Sequence, residues 1–322
     1  LKALLPYYAG KVKCIYIDPP YNTGNENWIY NDAVNSPEMR QWLGTVVGRD
    51  DLSRHDKWLC MMYPRLALLR EFLTEDGIIL VSIDENEHHF LEIVLDELFG
   101  RENRIESIIW KKSYGGGSKS RYVVNLHEYV LVYAKAIQAV QRLELPPSND
   151  VLKYYKFRDD KHESRGPYRL QPLATTSMDA RPNLRYPIYY LGEEIWPEKQ
   201  WQWSRDRVQD ALANKELVIE KKRGKWSVNY KQYLKSDEGD IRKGKPYSII
   251  DGVYTQQGTA EIKGMFGDGK EFDFPKPTYL IQHLLSFSSD DSSLIMDSFA
   301  GSGTTAHAVL KLNQMDGGHR QF

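Results

Sequence analysis

The sequence predicts an α/β fold whose parallel-rich sheet is interrupted by a second, smaller domain. Three observations predict it. Short apolar runs of strand length alternate with segments of helical periodicity over residues 1–140. From 141 to 272 the chain turns polar, aromatic and irregular, and holds Trp196, Trp201, Trp203 and Trp226. The alternation then resumes over 273–322. A chain of 322 residues is long enough to bury a core in both parts.

The first run, residues 11–18, is apolar, short and ends in Asp18-Pro19-Pro20, as a buried strand entering a turn would. Asn22-Thr23-Gly24 supplies the turn. Residues 56–73 place Leu59, Met62, Leu66 and Leu69 at helical spacing. Glu75-Asp76-Gly77 ends that helix before the buried strand 78–83. His89 to Leu98 form a helix closed by Gly100, and 105–110 and 129–133 read as two further strands. In the interrupting segment only Arg205–Asn214 reads as a helix. Pro275-Lys276-Pro277 opens a helix running to about Leu285, 293–297 is a strand, and Thr304–Leu312 a helix. Arg320-Gln321-Phe322 stands where the next strand would begin, so a truncated chain is expected.

Composition narrows the function classes. No run of about 18 apolar residues is present, and the opening Leu1-Lys2-Ala3-Leu4-Leu5 is too short for a signal peptide, so no membrane role is expected. Cys14 and Cys60 read as reduced thiols of a cytoplasmic protein. Neither they nor the histidines, with His88 and His89 adjacent, form a metal spacing, and no metal is expected. The net charge of −1 hides an asymmetry: residues 151–250 carry 21 Lys and Arg against 14 Asp and Glu. That balance fits phosphate contact or a solvated basic face.

Two motifs carry chemistry. Asp297, at a strand end, is followed by Ser298-Phe299-Ala300-Gly301-Ser302-Gly303-Thr304-Thr305 and a helix. Glycines there admit a ligand close to the backbone. Gly301 to Ala306 also fits the G-x-G-x-x-A dinucleotide pattern, so a nicotinamide or flavin site stays open on this segment alone. Asp297 favours a cationic ligand over a pyrophosphate. The other motif, Asp18-Pro19-Pro20-Tyr21, joins a carboxylate, two residues without a backbone N–H and an aromatic ring. Such a set can accept hydrogen bonds from an amino group and stack on a planar base.

Together these motifs resemble amino-group DNA methyltransferases, with Asp18-Pro19-Pro20-Tyr21 in the place of the catalytic motif and Phe299 to Gly303 in that of the S-adenosyl-L-methionine (SAM) loop. The catalytic motif comes first, an order that resembles the beta group. With Ile15 to Gly24, His127-Glu128-Tyr129 and Asp297 to Thr305, the chain is similar to modification subunits of type III restriction systems. The resemblance implies a class I SAM-methyltransferase (Rossmann-like) sheet in circularly permuted order. Residues 1–140 would be the catalytic half, 141–272 an inserted target-recognition domain and 273–322 the SAM-binding half. It implies adenine-N6 methylation of double-stranded DNA with base flipping, a homodimer and a restriction subunit as partner. Cytosine-N4 methylation, or an inactive DNA-binding fragment, stays open.

By the same resemblance Asp18, Pro19, Pro20 and Tyr21 are the catalytic candidates. Asp297, Phe299, Ala300, Gly301, Ser302, Gly303 and Thr304 are the cofactor candidates, with Lys276 expected against the cofactor carboxylate. Asp84 is expected near the site or as a simple cap. His127-Glu128-Tyr129 is expected along the base pocket. Trp196, Trp201, Trp203 and Lys221-Lys222-Arg223 either touch DNA or, for at least two of the tryptophans, form the small domain's core.

Overall fold

The computed structural model describes residues 1–23, 53–115, 120–267, 272 and 274–322; Gly24, placed above in the turn after Tyr21, lies outside them. The chain divides into two compact units. One is Leu1–Glu144 with Lys245–Phe322, the other Leu145–Gly244.

The first unit is built on a sheet of six strands. In spatial order they are Ile249–Ile250, Arg104–Lys111, His127–Ala134, Leu73–Ile83, Val12–Ile17 and Ile295–Met296. Val12–Ile17 pairs in parallel with both Leu73–Ile83 and Ile295–Met296. His127–Ala134 runs antiparallel to both its neighbours. A parallel neighbour needs a crossover of about a dozen residues or more, usually helical. The link from Lys111 to His127 shows no helix among its described residues, so this strand returns as in a hairpin.

The helix Ser53–Phe72 lays Trp58, Met62, Leu66, Leu69 and Phe72 on Ile15, Ile17, Ile79 and Val81, all fully buried. Their spacing keeps one helical stripe on the sheet, and each such side chain stabilises the fold by about 1.5–3 kcal/mol. The helix His88–Phe99 adds Leu91 and Leu95 to the same core. Against Cys14, whose Sγ lies 3.2 Å from Ser288 Oγ, packs the helix Thr278–Ser288. Beyond Ile295–Met296 the sheet continues in a bridge from Leu294 to Gln321, with Ile295 N donating to Gln321 O at 2.8 Å.

The expected boundary at 272 shifts to 244. Ile249 and Ile250 pair with Ile109 and Trp110, and Trp110 Nε1 donates to Val253 O at 2.7 Å. The helix Thr255–Phe266 then follows, unexpected from the sequence because it carries Gly258 and Gly264. Gly258 has a packing reason, since a Cβ there would strike the Pro275 carbonyl.

The second unit holds a three-stranded antiparallel sheet in the order Leu217–Lys222, Lys225–Tyr233, Tyr168–Pro172. Its core gathers Leu173, Tyr186, Ile188, Ile195, Trp201, Val208 and Val228, with Trp203 and Trp226 packed against it. Trp201 Nε1 donates to Tyr186 O at 2.8 Å. Trp196 alone of the four is exposed, at 52%. Lys221 and Lys222 pair with Glu193 and Glu220.

Candidate active site

Cys14 faces Ile295 and Ile15 faces Met296 across the parallel pair. Both strands therefore end at the same end of the sheet, with Asp297 following directly on the last paired residue and Asp18 three residues past its partner Ile15. Asp18 is among the charges that push Asp297 up. Two segments far apart in sequence thus form one site, at the carboxyl ends of the strands, where open α/β sheets place ligands.

Asp297 is the pivot of the glycine loop. Thr305 Oγ1 donates to its Oδ2 at 2.6 Å and the Phe299 N–H to its Oδ1 at 2.9 Å. Burial outweighs both and raises its carboxyl to about 6. Gly301 (φ 51°) and Gly303 (φ 75°) both take left-handed backbone, and Gly303 caps the helix Thr304–Asp316. A Cβ on Gly303 would meet nothing within 4 Å, so the loop's face is open. Ser298 Oγ is buried without a hydrogen-bond partner among the described residues. A carboxylate for a cation, helix N–H groups for an anion and an unmet hydroxyl fit the ammonium, sulfonium and carboxylate of SAM.

Asp18-Pro19-Pro20-Tyr21 is held from several sides. Trp58 Nε1 donates to Pro20 O at 2.6 Å, which pins the turn to the helix beneath. Next along the chain, Asn22 sits in left-handed backbone (φ 57°) and its amide donates to Arg54 O at 3.2 Å and to Glu87 Oε1. His55 Nδ1 shares that Glu87 oxygen at 2.7 Å. The Tyr21 hydroxyl lies 2.8 Å from Asp18 Oδ1 and 3.0 Å from Glu128 Oε2, so its single proton is shared by two carboxylates. Burial first, and both carboxylates next, push this phenol well above its ordinary value, so it stays protonated.

Lys276, expected against a cofactor carboxylate, reaches the Asp18-Pro19-Pro20-Tyr21 motif. Its Nζ is 3.1 Å from Asp18 Oδ1, 2.8 Å from Glu128 Oε2 and 2.6 Å from the Tyr21 hydroxyl. Lys112 holds the other Glu128 oxygen at 3.1 Å. Burial raises the Asp18 carboxyl, with Lys276 opposing it. Burial acts on Glu128 in the same sense, but Lys276 and Lys112 outweigh it and leave the group below its ordinary value. Asp84 takes the N–H and side-chain amide of Asn86 at 3.0 and 2.8 Å, the geometry of a cap.

Sequence reasoning named Glu128 only within its tripeptide, and missed Trp58, His55 and Glu87. Buried polarity gives these away, and burial cannot be read from residue type. Among the described residues no group of His, Cys, Asp and Glu could hold a metal ion, and no helix is long and apolar enough to cross a membrane.

The DNA methylase family model matches residues 12–315. The Mod subunit of the type III restriction-modification enzyme StyLTI from Salmonella typhimurium is 34% identical over the whole chain, which covers 50% of that protein. The EcoPI Mod subunit of Escherichia phage P1 is 32% identical, with 55% covered. The type II methyltransferase M.KpnI of Klebsiella pneumoniae is 33% identical over 95% of this chain and 73% of its own length. The chain thus spans about half the length of the type III relatives it matches. With its two motifs meeting at one sheet edge and the family model spanning nearly all its length, the chain belongs to the DNA methylase family.

Proposed function

We propose that this chain carries the catalytic machinery of a DNA methyltransferase that moves a methyl group from SAM to the N6 amino group of adenine. The observation that carries the reading is the parallel register of Val12–Ile17 with Ile295–Met296, which brings the strand ends that carry Asp18 and Asp297 to one end of the sheet. SAM supplies the electrophilic methyl group. Asp297 takes its cationic end, and the loop from Phe299 to Thr304 takes the rest.

At the acceptor, Asp18 and the Pro19 carbonyl accept the two N–H bonds of the amino group and draw its lone pair out of the ring. Tyr21 lies along the base. Attack forms the N–C bond as the S–C bond breaks, with positioning as the main contribution. The methylated nitrogen is then acidic and releases a proton toward Asp18 or water. A base in a duplex is out of reach, so the target is extruded. A leading Asp favours adenine over cytosine.

The unit Leu145–Gly244 reads the target sequence, the active form is a homodimer, and a restriction subunit partners it, in keeping with relatives named as Mod subunits. Mass analysis of nucleosides from DNA incubated with the full-length protein and SAM tests the reaction. N6-methyladenine is the expected product; N4-methylcytosine, or no methylated base on any DNA, overturns it. Gel filtration of the same protein tests the dimer.

A further inference from the structure

We propose that Lys276 is a positioning residue for the acceptor base: anchored on Glu128, it holds one Asp18 oxygen and the Tyr21 hydroxyl, and so aims the other Asp18 oxygen at the amino group. The inference rests on the methyl-transfer reading above.

An ammonium has three N–H donors. Three acceptors surround Lys276 Nζ, at 2.6, 2.8 and 3.1 Å, and the side chain is only 11% exposed. Two donors are spent on hydrogen bonds to Tyr21 and Glu128, and the charge is paired with Asp18 and Glu128. The aliphatic stem carries the charge over the Tyr21 ring, 4.7 Å from its centroid, with the Trp110 ring at 5.5 Å.

Both contacts to Asp18 fall on Oδ1. Oδ2 has no partner among the described residues. A carboxylate clamped through one oxygen cannot rotate, and its second oxygen presents a fixed lone pair. Lys112, Glu128, Lys276 and Asp18 form a line of alternating charge, each bridging to the next at 3.1, 2.8 and 3.1 Å. The line ties together four segments: the end of Arg104–Lys111, the start of His127–Ala134, the lead-in to the helix Thr278–Ser288, and the turn after Val12–Ile17.

The ionisable groups facing Asp18 act in both directions. Lys276 and the Tyr21 hydroxyl favour its ionised form, while Glu128 opposes it. Asp18 in turn pushes the Asp297 carboxyl up as a like charge, and buried Tyr16 stays neutral. Deleting Lys276 therefore raises the Asp18 pKa, and deleting the Glu128 charge lowers it.

The test compares Lys276→Met, Lys276→Arg and Glu128→Gln with the full-length wild-type protein. It measures SAM affinity by calorimetry, kcat on DNA against pH, and melting. Lys276→Met should keep SAM affinity, lose on the order of 100-fold in kcat at neutral pH, and move the acid limb of the profile to higher pH. Its deficit should shrink as pH rises. Glu128→Gln should move that limb to lower pH, and Lys276→Arg should recover part of kcat.

Lost SAM affinity with unchanged kcat would assign Lys276 to the cofactor and overturn the inference. So would a fall in kcat with an unmoved limb. If Lys276→Met does not fold, Glu128→Gln decides: an acid limb that does not move to lower pH overturns it. A wild-type protein that methylates no DNA refutes the reaction itself, a result distinct from any of these.

Discussion

Trp58 and Pro20 are joined by a 2.6 Å hydrogen bond from the indole N–H to the proline carbonyl, and Trp58 is fully buried. The helix Ser53–Phe72 thus fixes the turn that carries Asp18. Trp58→Phe keeps the ring and removes the donor. It should cost about 1–3 kcal/mol, because the Pro20 carbonyl loses its partner. Denaturant unfolding measures the stability, and methyl-transfer assays should show a drop in kcat larger than any change in KM.

Asp18→Ala should lower kcat by ~100-fold or more while SAM binding persists, since the carboxylate serves the acceptor and not the donor. Labelled-methyl transfer and calorimetry on the same preparation separate the two effects. A variant transferring at the wild-type rate would remove Asp18 from the mechanism.

On the proposed reading, Asp297 should make cofactor binding acid-sensitive. Its carboxyl, ordinarily near 3.8, is raised to about 6 by burial. Cationic ligand groups favour the ionised form, so SAM affinity should fall as pH drops through about 6, by up to about tenfold per unit. Folding stability moves the other way. A raised carboxyl binds protons more tightly when folded, so relative to Asp297→Asn the wild type gains stability as pH falls from about 6 toward 3.8. Titrations and melts at several pH values check both signs.

In the second unit Trp201 and Trp196 should part company. Trp201→Ala empties a buried site and breaks the bond to Tyr186 O, at a cost of about 3–5 kcal/mol. Trp196→Ala, at a 52% exposed position, should stay within about 0.5 kcal/mol. If Trp196→Ala nevertheless weakens DNA binding, the ring belongs to the recognition surface. Filter binding against thermal melts distinguishes the cases.

The thiols give a compact check on the first unit. Cys14 is buried and its thiol is pushed up to about 12, whereas Cys60 is exposed. A thiolate-specific reagent at neutral pH should modify Cys60 in the folded protein and reach Cys14 only after unfolding.

Much of this was legible in the sequence. Val12–Ile17 and Leu73–Ile83 stand out because a strand buried on both faces must be apolar throughout. The two motifs at the carboxyl ends of Val12–Ile17 and Ile295–Met296 were recognisable because their chemistry dictates residue type. Three features were not legible. The antiparallel placement of His127–Ala134 depends on pairing, which no local pattern encodes. The helix Thr255–Phe266 was hidden by Gly258, whose reason is contact with Pro275. The partners of Lys276 lie 148 and 255 positions away, so its expected role followed from its neighbours in sequence and not in space.

The second unit leaves and rejoins the chain through one step. Leu145 N donates to Gly244 O at 2.7 Å and Gly244 N to Leu145 O at 2.8 Å. Because its two ends already touch, exchanging that unit for another segment with the same doorway would ask the catalytic sheet for no new loop closure. If that unit reads the target as proposed, substrate preference should be exchangeable as a cassette, while the carboxylates at the sheet's end stay where they are.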